Sequence, residues 1–228
     1  GLSGADVGVS AVNGLAIGLL GLLAARNAHF AAGYEAMAAL MVALFTAWYS
    51  AQVGPLEVNT VLVASLIVLL PGMMLTTAVN ELAVQHLVAG MSRFAGASAV
   101  LLKLVFGTAA GLEIATVLGF PQQVAQAQAL SEPWAWLAVA VASLNFALLF
   151  KADWRDYPLV MASAAAGFAV ARLLGFNYGA EFAAFGAGLF VGVLSNVFAR
   201  ISTRPGAIVR VPGIIMLVPG STGFRSLF

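Results

Sequence analysis

Long apolar runs separated by short polar connectors constrain this chain more than any other feature of its sequence. A transmembrane helix needs about 20 mainly apolar residues. Eight runs approach that length, at roughly 3–24, 33–52, 57–75, 90–118, 132–151, 157–175, 179–199 and 207–224. They lack the apolar–polar alternation of a membrane β-strand. Because only 8% of the residues are charged, the chain cannot form the charged surface that a soluble domain needs. We therefore predict an all-α, polytopic membrane protein.

The residue types that most catalytic sites need are scarce or badly spaced. The chain has no cysteine, which excludes disulfides, thiolate nucleophiles and zinc–thiolate sites. His29 and His86 lie far apart and match no metal-ligand spacing. No Ser/His/Asp set, phosphate-binding loop or basic cluster for nucleic acid is visible. We expect no enzyme activity, no metal and no cofactor, and as partners the lipid bilayer and a small-molecule substrate.

The basic residues indicate how the chain is oriented in the membrane. Every second connector carries positive charge, while connectors 53–56 and 119–131 carry none. Arg172 is the one ambiguous residue. Because Lys and Arg collect in cytoplasmic connectors, the pattern predicts that Gly1 lies outside. The cytoplasmic residues would be Arg26, Arg93, Lys151, Arg155, Arg200, Arg204 and Arg210.

A Pro-Gly pair ends an apolar run twice, at Pro71-Gly72 and, 148 residues later, at Pro219-Gly220. The predicted orientation makes the first run enter from outside and the second from inside, as in the inverted repeats of many secondary transporters. We therefore predict two repeats, 1–125 and 126–228. The first would lack its opening helix and the second its closing helix, so we expect a fragment of a five-plus-five protein.

The two Pro-Gly pairs predict helices that break inside the bilayer. Glu57 to Leu70 is 14 residues, or about 21 Å of helix, which is shorter than a hydrocarbon core of about 30 Å. A new helix starting at Thr76-Thr77 would point its free N–H groups at the break, which suits a carboxylate. We expect the two breaks to meet near the bilayer midplane. The alternative is two proline kinks that pack against neighbouring helices without a ligand.

Charged residues near the first break are the candidates for charge coupling. Glu81 could neutralise a substrate ammonium or carry a proton, or it could lie at the interface, paired with Arg93. Lys103 could face the cavity or extend to the membrane surface. The Gly14/Gly18, Gly107/Gly111 and Gly188/Gly192 spacings permit close packing of helices.

Two stretches resemble the threonine/serine exporter family. Leu70 to Leu82, LPGMMLTTAVNEL, followed by Gly90, Arg93 and Gly107, looks like the signature of that family. Pro212 to Ser221, PGIIMLVPGS, looks like its second half. The resemblance implies an exporter of the bacterial inner membrane with two five-helix halves, which are separate proteins in some members. Such a split pair is associated with succinate export. Glu81 stands where many members have Asp, and Gln85-His86 replaces a frequent Gly-Asp.

The hypothesis that follows is proton-coupled export of a small amino acid such as threonine or serine. Charge coupling would use Glu81, Arg93 and Lys103. The runner-up is export of a dicarboxylate such as succinate, which Arg93, Lys103 and Arg210 would favour. The third hypothesis is a non-transporting scaffold or half-subunit, and homo-oligomerisation stays open. The predicted substrate site consists of Pro71, Gly72, Thr76, Thr77, Asn80, Glu81, Pro219, Gly220, Ser221 and Thr222.

Overall fold

The computed structural model describes residues 4–120, 132–149 and 152–202, together with 206, 209–210 and 213. Within these residues the chain is helical and has no β-strand, which confirms the all-α prediction. The helices are α1 (Gly4–Ala24), α2 (Ala28–Gln52), α3 (Val58–Leu66), α4 (Gly72–Ala83), α5 (Leu87–Val117), α6 (Glu132–Leu149), α7 (Tyr157–Tyr178) and α8 (Ala180–Ile201). Short 3-10 turns at Ile67–Leu69 and Trp154–Asp156 extend α3 and precede α7.

Five of the described helices are long and apolar enough to cross a membrane, and the bent pair α3–α4 makes a sixth if it counts as one span. This confirms a multi-pass membrane protein. The predicted spans agree with the helix bounds within a few residues, with two exceptions. Helix α2 begins five residues before the predicted start at 33, and α4 ends eight residues after the predicted end at 75. The described part of α6 has a shorter apolar stretch, Trp136–Asn145. The eighth predicted span, 207–224, lies mostly outside the described residues.

The chain forms two compact units, one built on α1–α5 and one on α6–α8 with the residues described after α8. The core of the first unit is small and tightly packed. It contains Ala38, Ala39, Val42 and Ala43 of α2, Leu104 of α5, and Val61, Leu62 and Leu66 of α3, all almost fully buried. The predicted repeat boundary at 125/126 stays a prediction.

Helices α2 and α5 pack along a seam where their backbones nearly touch. A Cβ atom at Gly107 would overlap the Ala36 carbonyl oxygen, and one at Gly111 would lie 2.6 Å from the Leu40 carbonyl oxygen. The contacts advance in the same direction on both helices, so α2 and α5 run parallel. Of the three glycine pairs in the sequence, this one forms a tight contact. A Cβ atom added at Gly14, Gly18, Gly188 or Gly192 would have no described atom within 4 Å.

The first Pro-Gly pair breaks a helix as predicted. The axis turns by 63° between Val58–Leu69 and Gly72–Ala83. Leu70 is extended (ψ 126°), and Pro71 precedes the first residue of α4. Because proline has no N–H and its ring blocks the preceding turn, α3 cannot continue through it. Since α2 and α5 are parallel, one net crossing must separate them. The pair α3–α4 is therefore a single broken span and not a re-entrant loop.

The second unit contains a helical hairpin closed by one residue, Gly179. Its φ of 88° suits glycine because the residue lacks a Cβ. Contacts such as Gly186 with Leu174 show that α7 and α8 are antiparallel. The described residues after α8 return along it, because Gly206 packs against Ser195 while Gly213 packs against Val191.

The two units share one internal arrangement. In the first unit, contacts of Asp6 with Glu57 and of Asn13 with Ser65 show that α3 runs parallel to α1, while the antiparallel α2 lies beside both. In the second unit the described residues Gly206 and Gly213 pack against α8, and Gly213 also meets α7 at Gly167. The predicted repeat, with its inverted orientation, stays a prediction.

Candidate functional site

Helix α4 begins at the break itself, not at Thr76-Thr77, and this corrects the prediction from the sequence. Its first residue is Gly72, and the Leu75 N–H already bonds to the Pro71 carbonyl oxygen at 3.0 Å. The Thr76 hydroxyl donates to the Gly72 carbonyl oxygen at 3.0 Å, a bond within its own helix. The Thr76 and Thr77 amides therefore lie inside α4 and cannot receive a carboxylate. Because α4 begins directly after Pro71, Thr76 and Thr77 do not cap its start.

The predicted site residues of α4 lie on one exposed side of that helix. Thr76, Thr77 and Asn80 are exposed, Glu81 is half-buried, and Ala78 is buried against α5. One helix therefore presents two hydroxyl groups, an amide and a carboxylate within three turns of the break. Such groups can hydrogen-bond a small zwitterion.

Glu81 and Arg93 form an ion pair between α4 and α5. The Arg93 Nε atom lies 2.9 Å from Glu81 Oε1 and 3.1 Å from Oε2. The Arg93 side chain is 54% exposed and that of Glu81 21%. Pairing with Arg93 is what we expect of Glu81 if it lies at the membrane interface.

Lys103 pairs with a residue that sequence analysis did not single out. Its Nζ atom donates to the Ala32 carbonyl oxygen at 2.9 Å and to Glu35 Oε2 at 3.3 Å. These contacts join α5 to α2 one helical turn before Gly107, where the tight packing of the two helices begins. Lys103 therefore bonds across the helix interface and does not extend freely to the membrane surface.

The length of α5 indicates the depth of the two ion pairs. Its 31 residues span about 46 Å, which exceeds a hydrocarbon core of about 30 Å. Counting about 20 residues back from Val117 places Lys103 inside the core and Arg93 outside it. The Lys103–Glu35 pair then lies in the membrane, and the Arg93–Glu81 pair at its surface.

A buried polar contact joins α1, α2 and α3. The Asn13 amide nitrogen donates to Thr46 Oγ1 and to Ser65 Oγ, each at 3.1 Å. The Ser65 hydroxyl in turn donates to the Val61 carbonyl oxygen at 2.7 Å. Asn13, Thr46 and Ser65 are at most 3% exposed. In a membrane such groups must satisfy one another, and this contact does so at the centre of three helices.

A second buried polar group, a carboxylate, lies near the start of α1, before Asn13. Asp6 is 1% exposed, and its Oδ1 atom accepts the backbone N–H of Glu57 at 3.1 Å. Glu57 precedes the first residue of α3 and makes no cap with its own side chain. Asp6 therefore caps the broken helix from a neighbouring helix. Between Asp6 and Asn13 along α1, the buried Ser10 hydroxyl oxygen has no partner among the described residues.

Sequence analysis missed this polar face, although α1 carries a signal for it. Asp6, Ser10 and Asn13 are spaced at i, i+4 and i+7, which places them on one face of a helix. In an otherwise apolar helix of 21 residues, that stripe indicates a buried polar contact. Glu35, by contrast, has no local signal, because its partner Lys103 is 68 residues away.

The equivalent place in the second unit is apolar. Gly213 lies 148 residues after Ser65, the spacing that also relates the two Pro-Gly pairs. There Gly213 and Gly167 pack against Val191, where the first unit has Ser65, Asn13 and Thr46. Among the described residues, this place in the second unit therefore lacks the polar contact found in the first unit.

A cavity of about 300 Å³ lies between α6 and α7. Ser143 is its one hydroxyl side chain, and that hydroxyl donates to the Ala140 carbonyl oxygen at 3.0 Å. The cavity suits an apolar chain better than a small polar solute. Its lining consists of Trp136, Val139, Ala140, Ser143, Met161, Ala162 and Ala165.

The predicted residues of the second break, Pro219, Gly220, Ser221 and Thr222, lie outside the described residues. Arg210 is described and is exposed. No group of three or more His, Asp or Glu side chains that could hold a metal occurs in the described ranges.

Comparison with known proteins gives two family matches and several relatives. A family model described as "Putative threonine/serine exporter" matches residues 1–115, and a second one described as "Threonine/Serine exporter, ThrE" matches residues 135–228. Pheromone-regulated membrane protein 10 of Eremothecium gossypii is 26% identical over 93% of this chain and 30% of that protein. The protein of the same name in Candida albicans is 28% identical over 97% of this chain and 21% of its own length. The chain thus spans about a fifth to a third of these relatives. No solved structure matches it.

Proposed function

Because the chain belongs to the threonine/serine exporter family, we propose that it exports small amino acids such as threonine and serine across a membrane by secondary active transport coupled to protons. The family resemblance predicted from the sequence is confirmed. The substrate and the coupling ion are our proposals.

The observation that carries the proposal is the broken helix α3–α4. Its 63° bend is followed by the exposed polar groups of Thr76, Thr77 and Asn80. Broken helices at the membrane centre are where secondary transporters bind their substrates. A polar solute needs hydrogen-bonding groups of this kind to leave water.

The charge arrangement favours an amino acid over a dicarboxylate. A dicarboxylate site would need cations that are free to bind two carboxylates. Arg93 and Lys103 instead lie against the carboxylates of Glu81 and Glu35. A zwitterion needs one positive and one negative partner, and each of these ion pairs can supply both.

The location in a bacterial inner membrane is also a proposal, and it rests on the family resemblance. The named relatives are yeast membrane proteins. Because this chain covers less than a third of their length, their full activity need not be carried by this part alone.

Exchange in proteoliposomes tests the proposal. The protein is reconstituted with unlabelled threonine inside, and uptake of labelled threonine or labelled succinate from outside is measured. We expect threonine counterflow, which an imposed pH gradient turns into net transport. Succinate exchange without threonine exchange would support the dicarboxylate alternative.

Exchange of neither solute would contradict both exporter proposals and support the non-transporting scaffold. Empty liposomes and liposomes with heat-denatured protein serve as controls for leakage. Serine and a bulky amino acid, added as unlabelled competitors, measure whether the site selects small side chains.

A further inference from the structure

The carboxylate of Asp6 combines deep burial with a direct bond to the broken helix. It is 1% exposed and accepts the Glu57 N–H at 3.1 Å, just before α3 begins. Ionisable side chains inside a membrane are costly, and they commonly mark ion pathways or proton relays. The Asp6 carboxylate is therefore a candidate for a second role, beyond capping α3.

A polar stripe extends from Asp6 into the membrane. Asp6 and Asn13 are seven residues apart on α1, or about 10 Å, and Ser10 lies on the same face between them. Asn13 continues the stripe to the hydroxyl groups of Thr46 and Ser65. The Ser10 hydroxyl, which has no partner among the described residues, is a buried polar group of the kind that normally bonds to water.

From this arrangement we propose that Asp6 binds the coupling proton, and that its protonation releases the start of α3 so that the broken helix can move. The inference rests on the proposed transport function. A bond to an ionised carboxylate is shorter and stronger than one to a neutral group. Protonation therefore weakens the hold of Asp6 on the Glu57 amide. The proton comes from water at the predicted outer surface, and it leaves to water on the cytoplasmic side after α3 has moved, which regenerates the Asp6 carboxylate.

Few other titratable groups of the described residues are near Asp6. The elements packed against α1 are α2 and α3. Glu57 lies at the start of α3 and is half-buried, while Tyr49, near the end of α2, packs against the apolar core. Glu57 carries the other carboxylate beside this bond, so it supplies the matched control.

A labelling experiment tests the release of α3 without reference to any substrate. The chain has no cysteine, so a single Leu56→Cys substitution places one thiol beside the Asp6–Glu57 bond. Leu56 is fully buried. We expect its reaction with a water-soluble maleimide to increase about tenfold as external pH falls, equivalent to about 1.4 kcal/mol. Val53→Cys, at a position 59% exposed, corrects for the pH dependence of the thiol reaction itself.

Labelling of Leu56→Cys in variants of Asp6 and Glu57 tests which of these residues causes the pH dependence. Asp6→Asn should make the Leu56→Cys reaction independent of pH, whereas Asp6→Glu, which keeps a titratable group, should preserve the dependence. Glu57→Gln should also preserve it, because the amide remains. Glu57→Pro removes the N–H that Asp6 accepts, and the φ of −79° at Glu57 is compatible with proline. That variant should label rapidly at every pH.

Transport assays separate the inference from the function on which it rests. We expect Asp6→Asn to retain threonine counterflow but to lose net transport driven by a pH gradient. If the unmodified protein exchanges no solute, the proposed function fails, while labelling still decides whether Asp6 controls α3. A labelling rate of Leu56→Cys that does not change with pH while Asp6 is present, or an Asp6→Asn variant that still couples transport to the gradient, would overturn the inference.

Discussion

Glu81 and Arg93 are bound to each other by two contacts of 2.9 and 3.1 Å, between a carboxylate on α4 and a guanidinium on α5. Helix α5 is long enough to place this pair at the membrane surface, about ten residues and 15 Å from Lys103. The pair therefore joins the second half of the broken helix to the span that follows. A substrate ammonium would have to compete with Arg93 for the same carboxylate.

The first prediction tests whether the Glu81 carboxylate acts directly on the substrate or a proton, or serves to orient α4 and α5 by pairing with Arg93. If Glu81 neutralises the substrate or carries a proton, Glu81→Gln abolishes coupled transport and leaves folded protein in the membrane. The exchange Glu81→Arg with Arg93→Glu restores the ion pair but moves the carboxylate to α5. Because exposed pairs contribute only about 0–1 kcal/mol, both variants should fold.

The measurement is threonine counterflow and gradient-driven transport in proteoliposomes with equal amounts of each variant. An inactive charge exchange would support a direct role for the carboxylate on α4. Full activity in the charge exchange would show that the pair serves to orient the helices. Full activity of Glu81→Gln would contradict both roles.

The second prediction concerns Lys103 and Glu35 within the membrane. Glu35→Gln or Lys103→Met alone leaves a charge that has lost its partner, and we expect each to destabilise the protein by about 1–2 kcal/mol. The double variant removes both charges and should recover most of that loss. Thermal unfolding in detergent measures the four proteins of this cycle. Additive effects of the two substitutions would show that the pair contributes no coupling energy.

Much of the fold can be predicted from local sequence because its causes are local. Apolar runs of membrane-spanning length predict most of the helix bounds in the described ranges within a few residues, and Pro71 marks the break because proline cannot continue a helix. The predicted start of α4 was wrong, because Thr76 and Thr77 resemble helix caps but lie within a helix that has already begun.

The polar contacts of the first unit could be predicted only in part. The spacing of Asp6, Ser10 and Asn13 indicates a polar face, but it does not identify what meets that face. Thr46 is 33 residues and Ser65 is 52 residues from Asn13, so the packing of α1, α2 and α3 decides the contact. The same limit holds for Glu35 and its distant partner Lys103.

The third prediction tests the seam between α2 and α5. Gly111→Ala places a methyl group 2.6 Å from the Leu40 carbonyl oxygen and 2.7 Å from the Ala43 Cβ. Neither neighbour can move without shifting the α2 backbone, so we expect a loss of about 1–3 kcal/mol. Gly14→Ala is the matched control, since no described atom lies near its added methyl group. It should leave stability unchanged or raise it by about 0.5–1 kcal/mol. Thermal unfolding compares the two, and equal effects would contradict a tight seam.

The fourth prediction tests the contact between Asn13, Thr46 and Ser65. Asn13→Ala removes the donor shared by two buried hydroxyl groups, so we expect a loss of about 1–3 kcal/mol. Thr46→Val should lose less when Asn13 is already Ala, because the interaction between them is then absent. Thr108→Val is the control, since the Thr108 hydroxyl is equally buried but donates to Leu104 in its own helix at 2.8 Å. A Thr46→Val effect that is the same in both backgrounds would exclude energetic coupling across the helices.

The last prediction concerns the path of α3–α4 through the membrane. Val53 directly follows α2 and Val88 lies in the first turn of α5, and both are well exposed, at 59% and 88%. If α3–α4 is one broken span, as the parallel packing of α2 and α5 requires, single cysteines at these two positions lie on opposite sides. A membrane-impermeant maleimide applied to intact cells or right-side-out vesicles should label Val53→Cys, and it should label Val88→Cys only after the membrane is permeabilised. Labelling of both from the same side would mean that α3–α4 returns to the surface it entered. That result would contradict both the broken span and the charge-based orientation.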